Sequence, residues 1–135
     1  MKKILVFGTF DGLHEGHKDF FRQAKEYGDF LAVVVGRDST VLKVKKSLPK
    51  FNENDRLDTV QKCEYVDFAR LGNEGVSPYL VIKEIMPDII CLGYDQTHFI
   101  DKLEAWLKEE GLNIKIKRLE AYKPEMYKSS ILNLK

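Results

Sequence analysis

Cysteine is scarce in this chain of 135 residues, occurring only as Cys63 and Cys91. With no second pair the two cannot build a structural zinc site or a disulfide framework, and core packing is the expected use of both. An excess of either charge is also missing: 22 basic residues stand against 21 acidic ones, a formal net charge of +1. Nothing in that balance calls for nucleic acid or an anionic membrane as a partner. Long apolar runs are absent as well, and none approaches the roughly 20 residues that a membrane span needs. Met1-Lys2-Lys3 begins like a secretion signal, but only four apolar residues follow before Gly8 and Asp11 intervene, so a cytoplasmic protein is expected. Repeats, low-complexity tracts and sustained heptads are likewise lacking.

What is present is a regular alternation of strand and helix signals, on a length suited to one hydrophobic core and a single domain over residues 1–135. Lys3–Phe7 and Phe30–Val35 are short continuous apolar runs, the pattern of parallel strands buried on both faces. Between them, Phe20, Phe21 and Ala24 fall at helical spacing over His17–Tyr27, and Gly28 supplies the stop. After Gly36-Arg37-Asp38-Ser39 a long polar loop is expected. Asn54 or Asn52 then caps a helix to about Cys63, with Leu57 and Val60 facing inward. Tyr65–Leu71 reads as a third strand. Ser77-Pro78 opens a helix through Ile85 that Pro87 ends, and Asp88–Leu92 is the fourth strand. Leu103, Trp106 and Leu107 mark an amphipathic helix closed by Gly111; Asn113–Leu119 alternates like a strand near the sheet edge, and a short helix is expected from Ser129. The alternation implies right-handed crossovers and an α/β fold: one doubly wound parallel sheet of about five strands, Rossmann-like, with helices on both faces. Such sheets bind ligands at the carboxyl ends of their strands.

The densest chemistry lies directly after the first strand, in Gly8-Thr9-Phe10-Asp11-Gly12-Leu13-His14-Glu15-Gly16-His17. Gly8, Gly12 and Gly16 can take positive φ and let the main chain approach a ligand. A helix beginning near Gly16 presents unpaired N–H groups whose partial charge favours phosphate, and His14 and His17, three apart, can face the same pocket. A lone pair of histidines is more often a surface accident or a metal pair; the strand before, the helix after and the glycines argue for a phosphate cradle. Lys43, Lys45 and Lys46, with Arg37, form the densest basic cluster. Alone it would be a solvated loop; opposite a cradle it reads as a second phosphate contact. Gly93-Tyr94-Asp95-Gln96 offers either a capped turn or hydrogen-bonding groups.

The segment resembles the G-T-F-D-x-x-H-x-G-H signature of the cytidylyltransferase-like nucleotidyltransferase superfamily, whose members join a nucleoside monophosphate to a phosphorylated acceptor and release pyrophosphate. That resemblance implies roles. His14 and His17 would bond the α-phosphate and the departing oxygen, and Lys43 or Lys46 the rest of the triphosphate. Gly8, Thr9, Phe10, Gly16 and Arg37 would line the nucleotide, with Gly93, Asp95 and Gln96 beside its base and ribose. Tyr127-Lys128-Ser129-Ser130 is similar to the C-terminal hydroxyl motif, so Ser129 and Ser130 would close on the triphosphate, with Arg118 adding charge. As a bare sequence Ser129-Ser130 is no more than a helix cap. Asp11 would order the loop or touch the acceptor. Mg²⁺ bridging the phosphates is implied without a dedicated protein metal site, and a homodimer is the family's common state.

Within the superfamily, Arg37-Asp38-Ser39-Thr40-Val41 and Gly93-Tyr94-Asp95-Gln96 resemble the archaeal FAD synthase branch, which transfers AMP from ATP to FMN. The glycerol-3-phosphate cytidylyltransferases carry arginine where this chain has Glu64 before Tyr65-Val66-Asp67. They also have an arginine-threonine-glutamate-glycine run that is absent here. Glu120–Met126 matches neither branch. A CTP-dependent enzyme acting on glycerol 3-phosphate or a similar phosphorylated alcohol is the first alternative, and a nucleotide-binding module without turnover the second.

Overall fold

The structure, a computed structural model, describes residues 1–73, 79–93 and 100–120. The elements run β1 (Lys3–Gly8), α1 (Glu15–Lys25), β2 (Phe30–Val35), α2 (Asp38–Lys45), α3 (Glu53–Gln61), β3 (Phe68–Leu71), α4 (Leu80–Ile85), β4 (Ile89–Leu92), α5 (Ile100–Glu109) and β5 (Lys115–Arg118). They form the expected α/β fold. All strand pairings are parallel, in the order β3-β2-β1-β4-β5. The order therefore reverses between β1 and β4, and β1 sits at the centre.

Two-sided burial explains the continuous apolar strands. Ile4 and Val6 of β1 pack with Phe21, Ala24 and Val60 of α1 and α3 on one face. Leu5 of β1 packs with Val81, Ile82, Ile85, Leu103 and Leu107 of α4 and α5 on the other. Helices thus cover both faces, as alternate side chains of each central strand require. The edge strand β5 alternates half-buried Ile116 with exposed lysines.

Several boundaries differ from the sequence expectation, each for a local reason. The polar loop expected after β2 contains the two-turn helix α2, with Val41 buried and Leu42, Lys43 and Lys45 exposed. Strand β3 starts at Phe68 rather than Tyr65, because Val66 N–H turns back onto the Cys63 carbonyl at 3.1 Å before Asp67 N–H bonds Leu31. Asn52, not Asn54, caps α3 by accepting the Asp55 N–H at 2.8 Å. The expected opening of α4 at Ser77-Pro78 lies outside the described residues. Cys91 is buried and Cys63 half-buried, both as free thiols; burial pushes Cys91 up to about 12, opposed weakly by Lys117.

Candidate active site

The cradle forms where β1 ends. Phe10 adopts a left-handed backbone conformation (φ 54) and its ring folds back into the core. There it meets Phe21 and Phe20 at centroid distances of 5.0 and 6.4 Å. That reversal dictates Gly8: a Cβ there would lie 2.5 Å from Phe10 Cζ. Of the three glycines expected at positive φ, only Gly12 has it, at +85°. Gly8 ends β1 in strand conformation and Gly16 lies within α1. Phe10, expected beside the nucleotide, shapes the loop there through its buried side chain.

His14 is the N-cap of α1, in extended conformation. Its Nδ1 accepts the Gly16 N–H at 3.0 Å, while the Nδ1 of His17 accepts the N–H of His14 at 3.3 Å. The Gly16 N–H is therefore taken by a histidine rather than left for a ligand. The rings stack at 3.8 Å between centroids, 22° from parallel, and Phe10 meets His17 edge-on at 5.4 Å. With both Nδ1 atoms acting as acceptors, the ring proton of each neutral imidazole belongs on Nε2. Burial pushes the His17 pKa down to about 4, helped by the neighbouring His14 ring and by Lys45 and opposed by the Gly12 carbonyl. Neutral His17 near pH 7 is thus an N–H donor at a helix start, where the peptide dipoles favour an anion.

Lys43, Lys45 and Lys46 stand on helix, not in a loop. Lys43 and Lys45 occupy the last turn of α2, and Lys46 caps it in left-handed conformation (φ 65). All three are exposed. Lys45 is the one whose charge reaches His17, although Lys43 and Lys46 are the lysines that the sequence resemblance favours.

A buried arginine ties these segments together. Arg56 of α3 is 1% exposed. Its Nη1 donates to the carbonyls of Thr9 at 2.8 Å and Gly36 at 2.7 Å, its Nε to Phe51 at 2.9 Å, and its Nη2 to Asp38 Oδ1 at 2.7 Å. One guanidinium thereby joins the ends of β1 and β2, the start of α2 and the segment before α3. Its planar fork of donors suits several acceptors at once. Asp38 and Glu53 cap one another's helices: Asp38 N–H donates to Glu53 Oε1 at 2.8 Å and Glu53 N–H to Asp38 Oδ2 at 3.2 Å.

The remaining candidates are placed as follows. Asp11 orders a loop, accepting the N–H groups of Lys50 at 2.6 Å and Phe51 at 2.8 Å. Partial burial raises its carboxyl, but those N–H groups with Arg56 and Lys50 outweigh that and hold it below the usual range. Arg37 donates through Nε to the Gly72 carbonyl at 2.6 Å, and Arg118 through Nη1 to the Gly93 carbonyl at 2.7 Å. Both guanidinia brace the carboxyl edge. Asp95, Gln96, Ser129 and Ser130 lie outside the described residues. Among the described residues, no cluster of three or more His, Cys, Asp or Glu side chains could hold a metal ion, and no helix is long and apolar enough to cross a membrane.

A sequence model described as cytidylyltransferase-like matches residues 5–133, nearly the whole chain. The chain belongs to the cytidylyltransferase-like family. Relatives include an FAD synthase of Methanobrevibacter ruminantium, 42% identical over 124 residues that span 90% of this chain and 81% of that one. An FAD synthase of Thermoplasma acidophilum is 42% identical over 135 residues, 100% of this chain and 94% of its own. Among solved structures, the lipopolysaccharide core biosynthesis protein of Thermoplasma volcanium superposes with a TM-score of 0.84 at 39% identity, covering 91% of this chain and 99% of that one.

For this cytidylyltransferase-like protein, the stacked histidines and their loop are the part of the site that a local motif reveals. Arg56 is the part it hides. Its only sequence signal is an arginine four residues after the capping Asn52 and directly before the inward-facing Leu57.

Proposed function

We propose that this protein is an FMN adenylyltransferase, joining AMP from ATP to FMN with release of pyrophosphate. The observation that carries the reading is the stacked His14–His17 pair, which caps the start of α1 directly after the glycine turn of β1. Adenylyl transfer from ATP to FMN, rather than another nucleotidyl transfer, is supported by identity of about 40% to FAD synthases along almost the whole chain.

The FMN phosphate is already ionised, so its attack on the α-phosphorus needs no general base, only alignment and charge neutralisation. His17 Nε2–H and His14 Nε2–H would donate to the α-phosphate and the oxygen leaving with pyrophosphate, where negative charge grows. Lys45, with Lys43 and Lys46 on the same helix end, would neutralise the outer phosphates. A magnesium ion held by the phosphates and its own waters would supply further charge neutralisation, and a cradle of N–H and ammonium donors fits a metal carried in by the substrate. Asp11 acts on the loop it orders, its lone pairs being engaged by Lys50 and Phe51.

The test is a matrix of substrates with Mg²⁺ present: FMN with ATP, FMN with CTP, and glycerol 3-phosphate with CTP. FAD from the first mixture is the expected product. CDP-glycerol from the third with no flavin dinucleotide from the others would replace the reading with a cytidylyltransferase. Nucleotide binding without pyrophosphate release in any mixture would reduce the protein to a binding module.

A further inference from the structure

The segment between α2 and α3 carries apolar surface that packing alone does not explain. Leu48 is 64% exposed and Phe51 44% exposed. Yet this segment is not loosely held: Asp11 binds the N–H groups of Lys50 and Phe51, and buried Arg56 binds the Phe51 carbonyl. Both anchors fix the backbone and leave the side chains outward. The Phe51 ring lies over the phosphate loop, where a Cβ on Gly12 would approach its Cε2 to 3.3 Å. Leu48, Pro49 and Phe51, with Asp38 and Asp55, line a cavity of about 320 Å³, within the range of roughly 300–1,000 Å³ common for small-molecule sites.

The sheet order says which substrate this surface faces. A nucleotide bound at the switch point lies between β1 and β4, towards the Gly93 end of the edge. Phe51 approaches the phosphate loop from the other side, over β1 and β2, from a segment that Arg56 ties to Thr9 and Gly36. On that side the lysines of α2 serve the outer phosphates, and the apolar surface beyond them suits the ring of the acceptor. We infer that Phe51, with Leu48 and Pro49, is the platform on which the acceptor's flat aromatic ring stacks, so that this loop selects an aromatic phosphate over a small phosphorylated alcohol. The inference rests on the proposed function above. It assigns Asp11 an indirect part in acceptor binding, as a positioning residue for Phe51. The exposed Lys50 beside the ring adds positive charge on the path of a phosphorylated acceptor.

The experiment uses the full chain and two readouts. Flavin fluorescence is titrated with protein, since a ring stacked on an aromatic side chain is quenched, and KM is measured separately for FMN and ATP. Stacking on an aromatic side chain is worth about tenfold in affinity. Phe51→Ala is therefore expected to weaken FMN quenching and raise KM for FMN about tenfold, leaving KM for ATP within about twofold. Phe51→Tyr should restore both. The unchanged ATP term guards against misfolding, because the backbone contacts of residue 51 to Asp11 and Arg56 survive the substitution. If the wild type makes FAD but Phe51→Ala and Leu48→Ala keep KM for FMN within twofold, the platform is wrong and the adenylyltransferase reading stands. If the wild type neither quenches FMN nor makes FAD, both fall.

Discussion

Replacing Arg56 with alanine should loosen three loops at once, and its cost can be worked from the contacts. The side chain is 1% exposed and donates to the carbonyls of Thr9, Gly36 and Phe51 and to the Asp38 carboxylate. Removing one partner of a buried ion pair costs about 3–5 kcal/mol, because the other partner is left uncompensated. Asp38 retains 31% side-chain exposure, so water recovers part of the loss, and water entering the vacated space satisfies some carbonyls. The expected cost is then about 3 kcal/mol. For a domain of this size each kcal/mol moves Tm by roughly 3 °C, so Arg56→Ala should lower it by about 10 °C. Arg56→Lys keeps the charge, but a compact ammonium cannot serve four acceptors in a fork, and less than half the loss should be recovered. Thermal and urea unfolding followed by circular dichroism measure both variants. A Tm drop of less than about 3 °C for Arg56→Ala would refute the claim that one guanidinium ties the carboxyl edge together.

Other consequences follow from the same contacts. His17 titrates near 6.5 when unfolded and about 4 when folded, so the unfolded chain binds the extra proton between those values. Stability should therefore fall as pH drops from about 6.5 towards 4, by about 3 kcal/mol before screening and about 1 kcal/mol for a half-exposed ring. A proton NMR titration of the His17 ring with an inflection near 6.5 instead of about 4 would remove this effect. Lys45→Ala should raise the His17 pKa because the nearby positive charge is lost, and Lys43→Ala should leave it where it is; the same titration reads both. Gly12→Ala places a side chain at φ +85° and 3.3 Å from the Phe51 ring, and should cost about 1–3 kcal/mol in urea unfolding.

The framework of the fold is legible in the chain because parallel strands buried on both faces leave an unmistakable pattern. Phe30–Val35 is recovered to the residue, and β1 to within one. Helix α2 is not, because it is short and its many polar positions, with Leu42 exposed, read like a loop. Its sequence signals were end effects: Asp38 in the first turn, Lys43 and Lys45 in the last. The histidine pair is local, spaced three apart in a glycine turn, and is readable for that reason. Arg56 reaches carbonyls 47 and 20 residues away, and no local pattern encodes such contacts. Lys45 escapes for a related reason, since its electrostatic link to His17 joins residues far apart in the sequence. The glycines mislead in an instructive way: Gly8 is demanded by the ring of Phe10 folding over it, not by its own backbone.

The account's central claim is that this chain moves an adenylyl group from ATP to FMN under the hands of His14 and His17. ATP labelled at the α-phosphorus, incubated with FMN, Mg²⁺ and the purified protein, tests it most directly. The label should appear in FAD in one-to-one ratio with pyrophosphate released. His17→Ala, still folded by circular dichroism, should transfer it about 10²-fold more slowly. Labelled FAD formed by His17→Ala within a fewfold of the wild-type rate would contradict the role of the histidines, and no labelled FAD from the wild type would contradict the reaction itself.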